Sequence, residues 1–227
     1  MQEHAKKIRP PLPPEHDFFY EYAYKDNRQG KGLASFFANK MEAWMHKMVA
    51  KSKFDKNKVL EIGAGTLNQL EYELPANPEY DIVEPFEKLY KDSPYLGNIS
   101  NIYSDISQVP KGNKYDRIIS IATYEHILEL PQILETARAL LKPGGGHYVA
   151  IPNEGHLLWK LGWKLTTGLA FRLKFGLDYS VIMGHEHVNT ADEIESCLKQ
   201  HYKIVDYRVF GITRKICFYR YYHCERK

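Results

Sequence analysis

Residues 58–67 read Lys-Val-Leu-Glu-Ile-Gly-Ala-Gly-Thr-Leu: an apolar run carrying one acid, Glu61, then Gly63 and Gly65 around Ala64. This is the pattern of a buried strand running into a tight loop whose backbone can approach a nucleotide-like ligand closely. The acid discriminates between ligands. A dinucleotide sets its pyrophosphate against such a loop, and a carboxylate just ahead of the first glycine repels it. A cationic ligand is attracted instead, and S-adenosylmethionine carries an ammonium and a sulfonium and no phosphate. Asn68 also stands where G-x-G-x-x-G has its last glycine, so the dinucleotide fingerprint is incomplete. Three further groups carry polar chemistry: Glu84-Pro85, Tyr124-Glu125-His126 and His185-Glu186-His187. Glu84 closes a second apolar run, where an acid of a nucleotide-binding sheet accepts hydrogen bonds from both ribose hydroxyls. His126 can act as a general base, because imidazole titrates near neutrality, or can hydrogen-bond its own loop. His185 and His187, at alternate positions of an extended segment, would point the same way and suggest a metal. No third ligand has a clear spacing, and Glu154, His156 and His126 are only conjectural partners, so no metal is assigned and His185 is kept as a second candidate base.

The elements around these residues alternate. Val59–Ile62, Tyr80–Val83, Ile99–Tyr103, Tyr115–Ile121 and His147–Ile151 read as strands, with short helical pieces at 67–73 and 86–91 and a helix over 131–141. The spacing predicts a parallel sheet covered by helices on both faces. An amphipathic helix over 33–50 precedes the first strand. Thr190-Ala191-Asp192-Glu193 is a capping box for a helix to about Gln200. Tyr202–Val209 and Ile216–Tyr222 lack a helix-length connection and so form an antiparallel pair. Residues 1–16, with Pro10, Pro11, Pro13 and Pro14, are expected to be extended and loosely attached.

Composition sets outer bounds. The 227 residues suit one medium domain. A hydrophobic share of 44% and a charged share of 26% are ordinary for a soluble globular chain. The net charge of +3 is too small to argue for nucleic-acid binding. Cys197, Cys217 and Cys224 show neither metal spacing nor an even framework and fit a reducing cytoplasm. No signal pattern and no run of about 18 apolar residues is present.

At this point the chain resembles the class I S-adenosylmethionine-dependent methyltransferases. Four segments match in order: Val59-Leu60-Glu61-Ile62-Gly63-Ala64-Gly65, Asp81-Ile82-Val83-Glu84-Pro85, Asp105-Ile106, and Leu140-Leu141-Lys142-Pro143-Gly144-Gly145 before the fifth strand. Leu67 departs from the pattern, standing where many members have a third glycine. The resemblance implies a Rossmann-like α/β sandwich with a mostly parallel seven-stranded sheet and a C-terminal antiparallel strand pair, in one domain over 1–227. It implies S-adenosylmethionine as cofactor, held by Glu61 at the ammonium, by Gly63, Ala64 and Gly65 along the loop, and by Glu84 and Pro85 at the ribose. Asp105 and Ile106 would contact the adenine, and Ala122 would line the cleft. In similar enzymes an N-terminal segment closes over the cofactor; here that segment is 1–30, with Tyr24 and Arg28 as its candidate contacts.

Residues 152–188 interrupt the alternation and are rich in aromatic and basic residues, including Trp159, Lys160, Trp163, Lys164, Arg172 and Lys174. A helical lid over the substrate is expected, with its leucines on the core; peripheral contact of 156–175 with a membrane surface is the sharper alternative. Ile151-Pro152-Asn153-Glu154-Gly155, Phe171-Arg172, Gly176-Leu177-Asp178-Tyr179 and His185-Glu186-His187-Val188-Asn189 also resemble a bacterial methyltransferase group tied to surface-glycan biosynthesis. That looser resemblance implies O-methylation of a sugar or a sugar-phosphate derivative, at the inner face of the membrane or in the cytoplasm. N-methylation of a small amine and a non-catalytic cofactor-binding scaffold stay open beside it, and no nucleic-acid partner is expected.

Overall fold

The computed structural model describes residues 7–17, 33–51, 58–73 and 79–227. Seven strands form one sheet in the order β3-β2-β1-β4-β5-β7-β6: β1 (Lys58–Ile62), β2 (Glu79–Val83), β3 (Asn101–Tyr103), β4 (Tyr115–Ile121), β5 (Leu141–Pro152), β6 (Tyr202–Gly211) and β7 (Cys217–Arg226). The first five pair in parallel, and β7 lies antiparallel between β5 and β6. Only residues 212–216 join β6 to β7, too few for a crossover helix, so the pair closes as a hairpin. The strand pair and the capping box expected from the sequence are both present; Thr190 and Glu193 bond reciprocally at the start of α8 (Ala191–His201).

The central strands are buried on both faces, as parallel strands between helical layers must be. Alternation then sends neighbours to opposite cores. Leu60, Ile118 and Val149 join α4 (Leu130–Leu140) and α8 on one side, while Val59, Ile119 and Tyr148 meet Met45 and Val49 of α1 (Leu33–Ala50) on the other. β5 starts earlier than expected: Lys142-Pro143-Gly144-Gly145 lies within its span rather than ahead of it, and the register with β4 shifts there between Tyr115 and Arg117.

Two expectations fail. Residues 7–17 are tied down: Lys7 Nζ reaches the Val188 carbonyl and Glu193, Arg9 reaches three carbonyls, and His16 Nε2 donates to the Asp178 carbonyl. Backbone groups of a distant segment supply these anchors, which no local pattern announces. In the 152–188 segment, Leu157, Leu161 and Leu165 are exposed and do not pack on the core, while Leu158 is half-buried. That segment folds as α5 (Leu157–Trp163), a wide turn over Lys164–Gly168, α6 (Leu169–Phe175) and α7 (Tyr179–Glu186). Its aromatic side chains face inward instead, Trp159 against Tyr219 and Trp163 against Tyr179, while Phe171 is buried.

Arg117 on β4 is fully buried and forks onto Glu73 at the end of α2 (Leu70–Glu73), at 2.9 and 3.0 Å, with a third bond to the Val49 carbonyl of α1. Gln69 donates to Glu73 and is bonded in turn by His46. Removing one partner of such a pair strands a buried charge and costs ~3–5 kcal/mol, whereas an apolar pair of similar volume is near neutral. Glu73→Ala should therefore lower the urea-unfolding free energy by about that much, and Glu73→Leu with Arg117→Met should recover most of it; equal losses in the single and double variants would contradict this role.

Candidate functional site

Because β1 to β5 run parallel, their carboxyl ends share one edge of the sheet. The strand order reverses direction between β1 and β4, the switch point at which open α/β sheets hold ligands in a crevice outside the strand ends. Gly63 leaves β1 with φ +74°, and Ala122 leaves β4 with φ +47°. A side chain on Gly63 would fall 2.3 Å from Thr123 Cγ2, so only glycine permits the two loops to touch. The Thr123 hydroxyl donates to the carbonyls of Gly63 and Ile121. Ala122 in this region is a strained non-glycine residue of the kind that gathers at binding sites. Leu67, at the third-glycine position, also keeps a left-handed backbone, with φ +66°. Its side chain is fully buried, and that burial offsets the strain.

The two acids at the ends of β1 and β2 are buried and differently held. The Tyr80 hydroxyl donates to Glu61 Oε2 at 2.8 Å. Burial pushes the Glu61 carboxyl up to about 8, against the opposing pull of the Tyr80 hydrogen bond, with the charges of Glu73 and Glu84 adding to the rise. Glu84 accepts from the backbone N–H of Gly65 at 2.8 Å and of Phe86 at 3.0 Å, one on each oxygen. It thus pins the glycine loop to the end of β2 while each oxygen keeps a second lone pair. Pro85 is exposed beside it. Asp105 is exposed after β3, where its carboxylate accepts from the Ser107 N–H at 2.8 Å; bonds from Ser107 hold it below its ordinary range. Ile106 is buried under it, and Ala64 is buried within the glycine loop. Tyr24 and Arg28, with Tyr20 and Tyr22, lie outside the described residues.

The structure separates the two candidate bases. His126 ends the turn after β4. Its Nδ1 donates to the Glu186 carbonyl at 3.0 Å and lies 3.3 Å from the Glu186 carboxylate. Burial lowers its basicity, but Glu186 and Glu125 outweigh this and the net shift is upward. His185 turns away: its Nδ1 donates to the Pro10 carbonyl at 2.6 Å. His185 and Glu186 sit in the last turn of α7 and His187 just past it, so this segment is not the extended strand of the sequence reading. The imidazole beside His126 is that of His187, edge-on with ring centres 4.8 Å apart.

Sequence reasoning missed what joins these loops. Val188 and Asn189 donate backbone N–H groups to the Glu125 carbonyl, and the Asn189 amide donates to the carbonyls of Tyr124 and Ile127. Arg9 spans the same junction, reaching the carbonyls of His126, His185 and Glu186. The acceptors are main-chain atoms, so the side-chain pattern carries no signal for them. Among the described residues, no helix is long and apolar enough to cross a membrane.

The family model described as "Methyltransferase domain" matches residues 33–201, and the chain belongs to that family. It is a methyltransferase, and S-adenosylmethionine is the methyl donor of the class. Solved structures share the fold. The PH0226 protein from Pyrococcus horikoshii aligns with a TM-score of 0.61 at 15% identity over 92% of this chain and 98% of that one. The 1,6-didemethyltoxoflavin-N1-methyltransferase of Burkholderia thailandensis, with its substrate and S-adenosylhomocysteine bound, aligns with a TM-score of 0.60 at 13% identity over 100% of this chain and 98% of that one. The N-methyltransferase NodS from Bradyrhizobium japonicum, with S-adenosylhomocysteine bound, aligns at 0.57 with 13% identity over 91% of this chain and 98% of that one. Comparison with curated proteins finds no match.

The left-handed backbone of Gly63 costs an alanine about 1–2 kcal/mol before any clash is counted. Gly63→Ala should lower thermal stability by at least that amount, and Thr123→Ala in the same chain should relieve only part of the clash, because the Thr123 Cβ still lies 2.8 Å away. An unchanged melting temperature in Gly63→Ala would show that the loops do not meet as described.

Proposed function

We propose that the crevice binds S-adenosylmethionine and that the enzyme methylates a hydroxyl of a glycan-type acceptor, a sugar or sugar phosphate, presented at an anionic surface. The observation that carries the acceptor reading is the face of the 152–188 segment. Leu157, Leu161, Leu165, Leu169 and Leu173, each four positions from the next, are all exposed, Leu157 at 70% and Leu173 at 79%. Lys160, Lys164, Arg172 and Lys174 are exposed along the same stretch, which has no acid from 157 to 177. A basic helical stretch with an apolar stripe suits an anionic lipid surface. Small exposed apolar patches are normal on soluble proteins, but an uninterrupted stripe is not.

When bound, the cofactor supplies an electrophilic methyl group whose departure leaves a neutral thioether, so no acid is needed for the leaving group. The protein's tasks are alignment and exclusion of water. In this reading Glu61 holds the ammonium, Glu84 accepts from the ribose hydroxyls with its spare lone pairs, and Asp105 and Ile106 face the adenine beside Ala64, Gly65 and Ala122. Tyr24 and Arg28 belong to the proposed cap over the cofactor. On the acceptor side, His126 has its Nδ1 engaged by Glu186 and presents Nε2, which can take the hydroxyl proton as the new C–O bond forms. His185, turned toward Pro10, is the weaker candidate. Two of the structural neighbours are N-methyltransferases, which favours a second reading in which the acceptor is an amine.

The Glu61 carboxyl, protonated in the free protein at neutral pH, must ionise to hold an ammonium. In the folded protein it keeps its proton between about pH 4.5 and 8 while the unfolded chain loses it, so this group's contribution to stability is full below 4.5 and falls as the pH rises toward 8. A bound ammonium removes that penalty. Calorimetry of S-adenosylhomocysteine near pH 6.5 in two buffers of different ionisation heat should show proton release, absent in Glu61→Gln. Glu84→Gln should weaken binding at least tenfold. Preference for a nicotinamide dinucleotide, or no heat at millimolar ligand, would overturn the cofactor site.

A methyl-transfer screen across nucleotide sugars, lipid-linked glycans and small amines tests the acceptor. Transfer to a sugar hydroxyl is expected, with co-sedimentation on vesicles containing phosphatidylglycerol that Leu165→Asp with Leu169→Asp abolishes. Transfer to amines alone, with no vesicle binding, would favour the second reading.

A further inference from the structure

Glu125, His126 and His187 each offer one ligand atom to a common point, the three atoms lying within 4.8 Å of one another. Two come from the turn after β4 and one from the end of the 152–188 segment, 61 positions later, brought together by the backbone bonds of Val188 and Asn189. We propose that these three side chains form a divalent transition-metal site on the acceptor side of the crevice.

Four observations converge on it. Glu125 is only 2% exposed, and its Oε2 has no hydrogen-bond partner. A buried carboxylate oxygen left unpaired is costly, and a cation is the partner that would repay it. Its other oxygen, Oε1, lies 3.8 Å from His126 Nε2. Both imidazoles have their Nδ1 engaged elsewhere: His126 donates to the Glu186 carbonyl with the Glu186 carboxylate 3.3 Å away, and His187 donates to Glu154 Oε2 at 2.6 Å. This fixes the tautomer that leaves Nε2 as the coordinating nitrogen, the carboxylate–histidine–metal arrangement of metal sites. The outer layer is itself held, because the Trp159 indole N–H donates to the same Glu154 oxygen at 2.6 Å.

Two imidazoles and one carboxylate suit Zn²⁺, Mn²⁺ or Fe²⁺ and leave coordination positions open. Metal–ligand bonds of about 2.1 Å set ligand atoms roughly 3–3.5 Å apart, so binding draws the three side chains together by about 1 Å. The role of the ion rests on the methyl-transfer reading above. An acceptor hydroxyl in an open position becomes more acidic and is held facing the methyl group. Its proton leaves to solvent or to a neighbouring carboxylate, the oxygen lone pair forms the new C–O bond, and the C–S electron pair stays on sulfur. His126 then serves as a ligand and not as the base.

Titration of chelator-treated protein with Co²⁺, Zn²⁺ and Mn²⁺, followed by calorimetry and by the visible absorption of Co²⁺, tests the site without any acceptor. One equivalent should bind. Glu125→Gln and His187→Ala should each weaken it at least tenfold, and Glu154→Gln should weaken it less. His185→Ala, two positions away, should leave it unchanged. Retained S-adenosylhomocysteine binding reports that each variant is folded. No binding of any of the three ions at millimolar concentration, or binding indifferent to Glu125→Gln and His187→Ala, would overturn the proposal. Loss of cofactor binding with metal binding intact would instead sink the methyl-transfer reading alone.

Discussion

The buried ion pair of Arg117 with Glu73 fixes the glycine loop from below. Glu73 ends the short helix that follows the loop, so the guanidinium on β4 holds the loop's far end, while Gln69 and His46 extend the hold into α1. The near end is set by the Gly63 N–H bonding the Val83 carbonyl, and the middle by the Gly65 N–H on Glu84. Three anchors, one from β4 and two from the end of β2, thus position one loop. The same guanidinium moderates the rise in the Glu61 carboxyl, which Glu73 and Glu84 increase. The ion pair therefore bears on the site's electrostatics as well as on its geometry. Burying charge is expensive, and a purely structural core would do as well with apolar residues.

The other part of the sheet's carboxyl edge is built by a different device. There the turn after β4 is stitched to residues 186–189 through main-chain carbonyls, with Arg9 and Lys7 closing the seam from the N-terminal segment. A cluster of Glu125, His126, Glu154, Glu186 and His187 results, dense in protonatable groups and partly shielded from water. On β7, Arg220 is also fully buried and reaches His156, Asp192 and Glu195, bracing the start of the 152–188 helices against α8. The glycine loop and the turn after β4 thus have independent supports.

The fold was readable because it is written in local patterns: strands continuous in apolar residues, punctuation at Lys142-Pro143-Gly144, and reciprocal capping at Thr190 and Glu193. The residues proposed for the cofactor meet for a similar reason: Glu61 lies in β1, Gly63, Glu84 and Asp105 follow β1, β2 and β3, and the parallel topology brings strand ends together. What stayed hidden was made by long-range contact. Arg117 and Arg220 look like solvent-facing positions in strands, yet both are buried because acids from other elements meet them. His187 looked equivalent to His185, and only the helix end at Glu186 turns one toward Glu154 and His126 and the other toward Pro10. Leu157, Leu158, Leu161 and Leu165 read as a core face, because periodicity reports an amphipathic helix without saying which side the protein covers.

A crystal structure of the protein with S-adenosylhomocysteine tests the central claim most directly. The account predicts the ribose hydroxyls on the Glu84 carboxylate, the adenine beside Asp105 and Ile106, the ammonium toward Glu61, and the sulfur facing His126. A ligand lodged elsewhere on the sheet, or one whose ribose leaves Glu84 bonded to the loop alone, would contradict it.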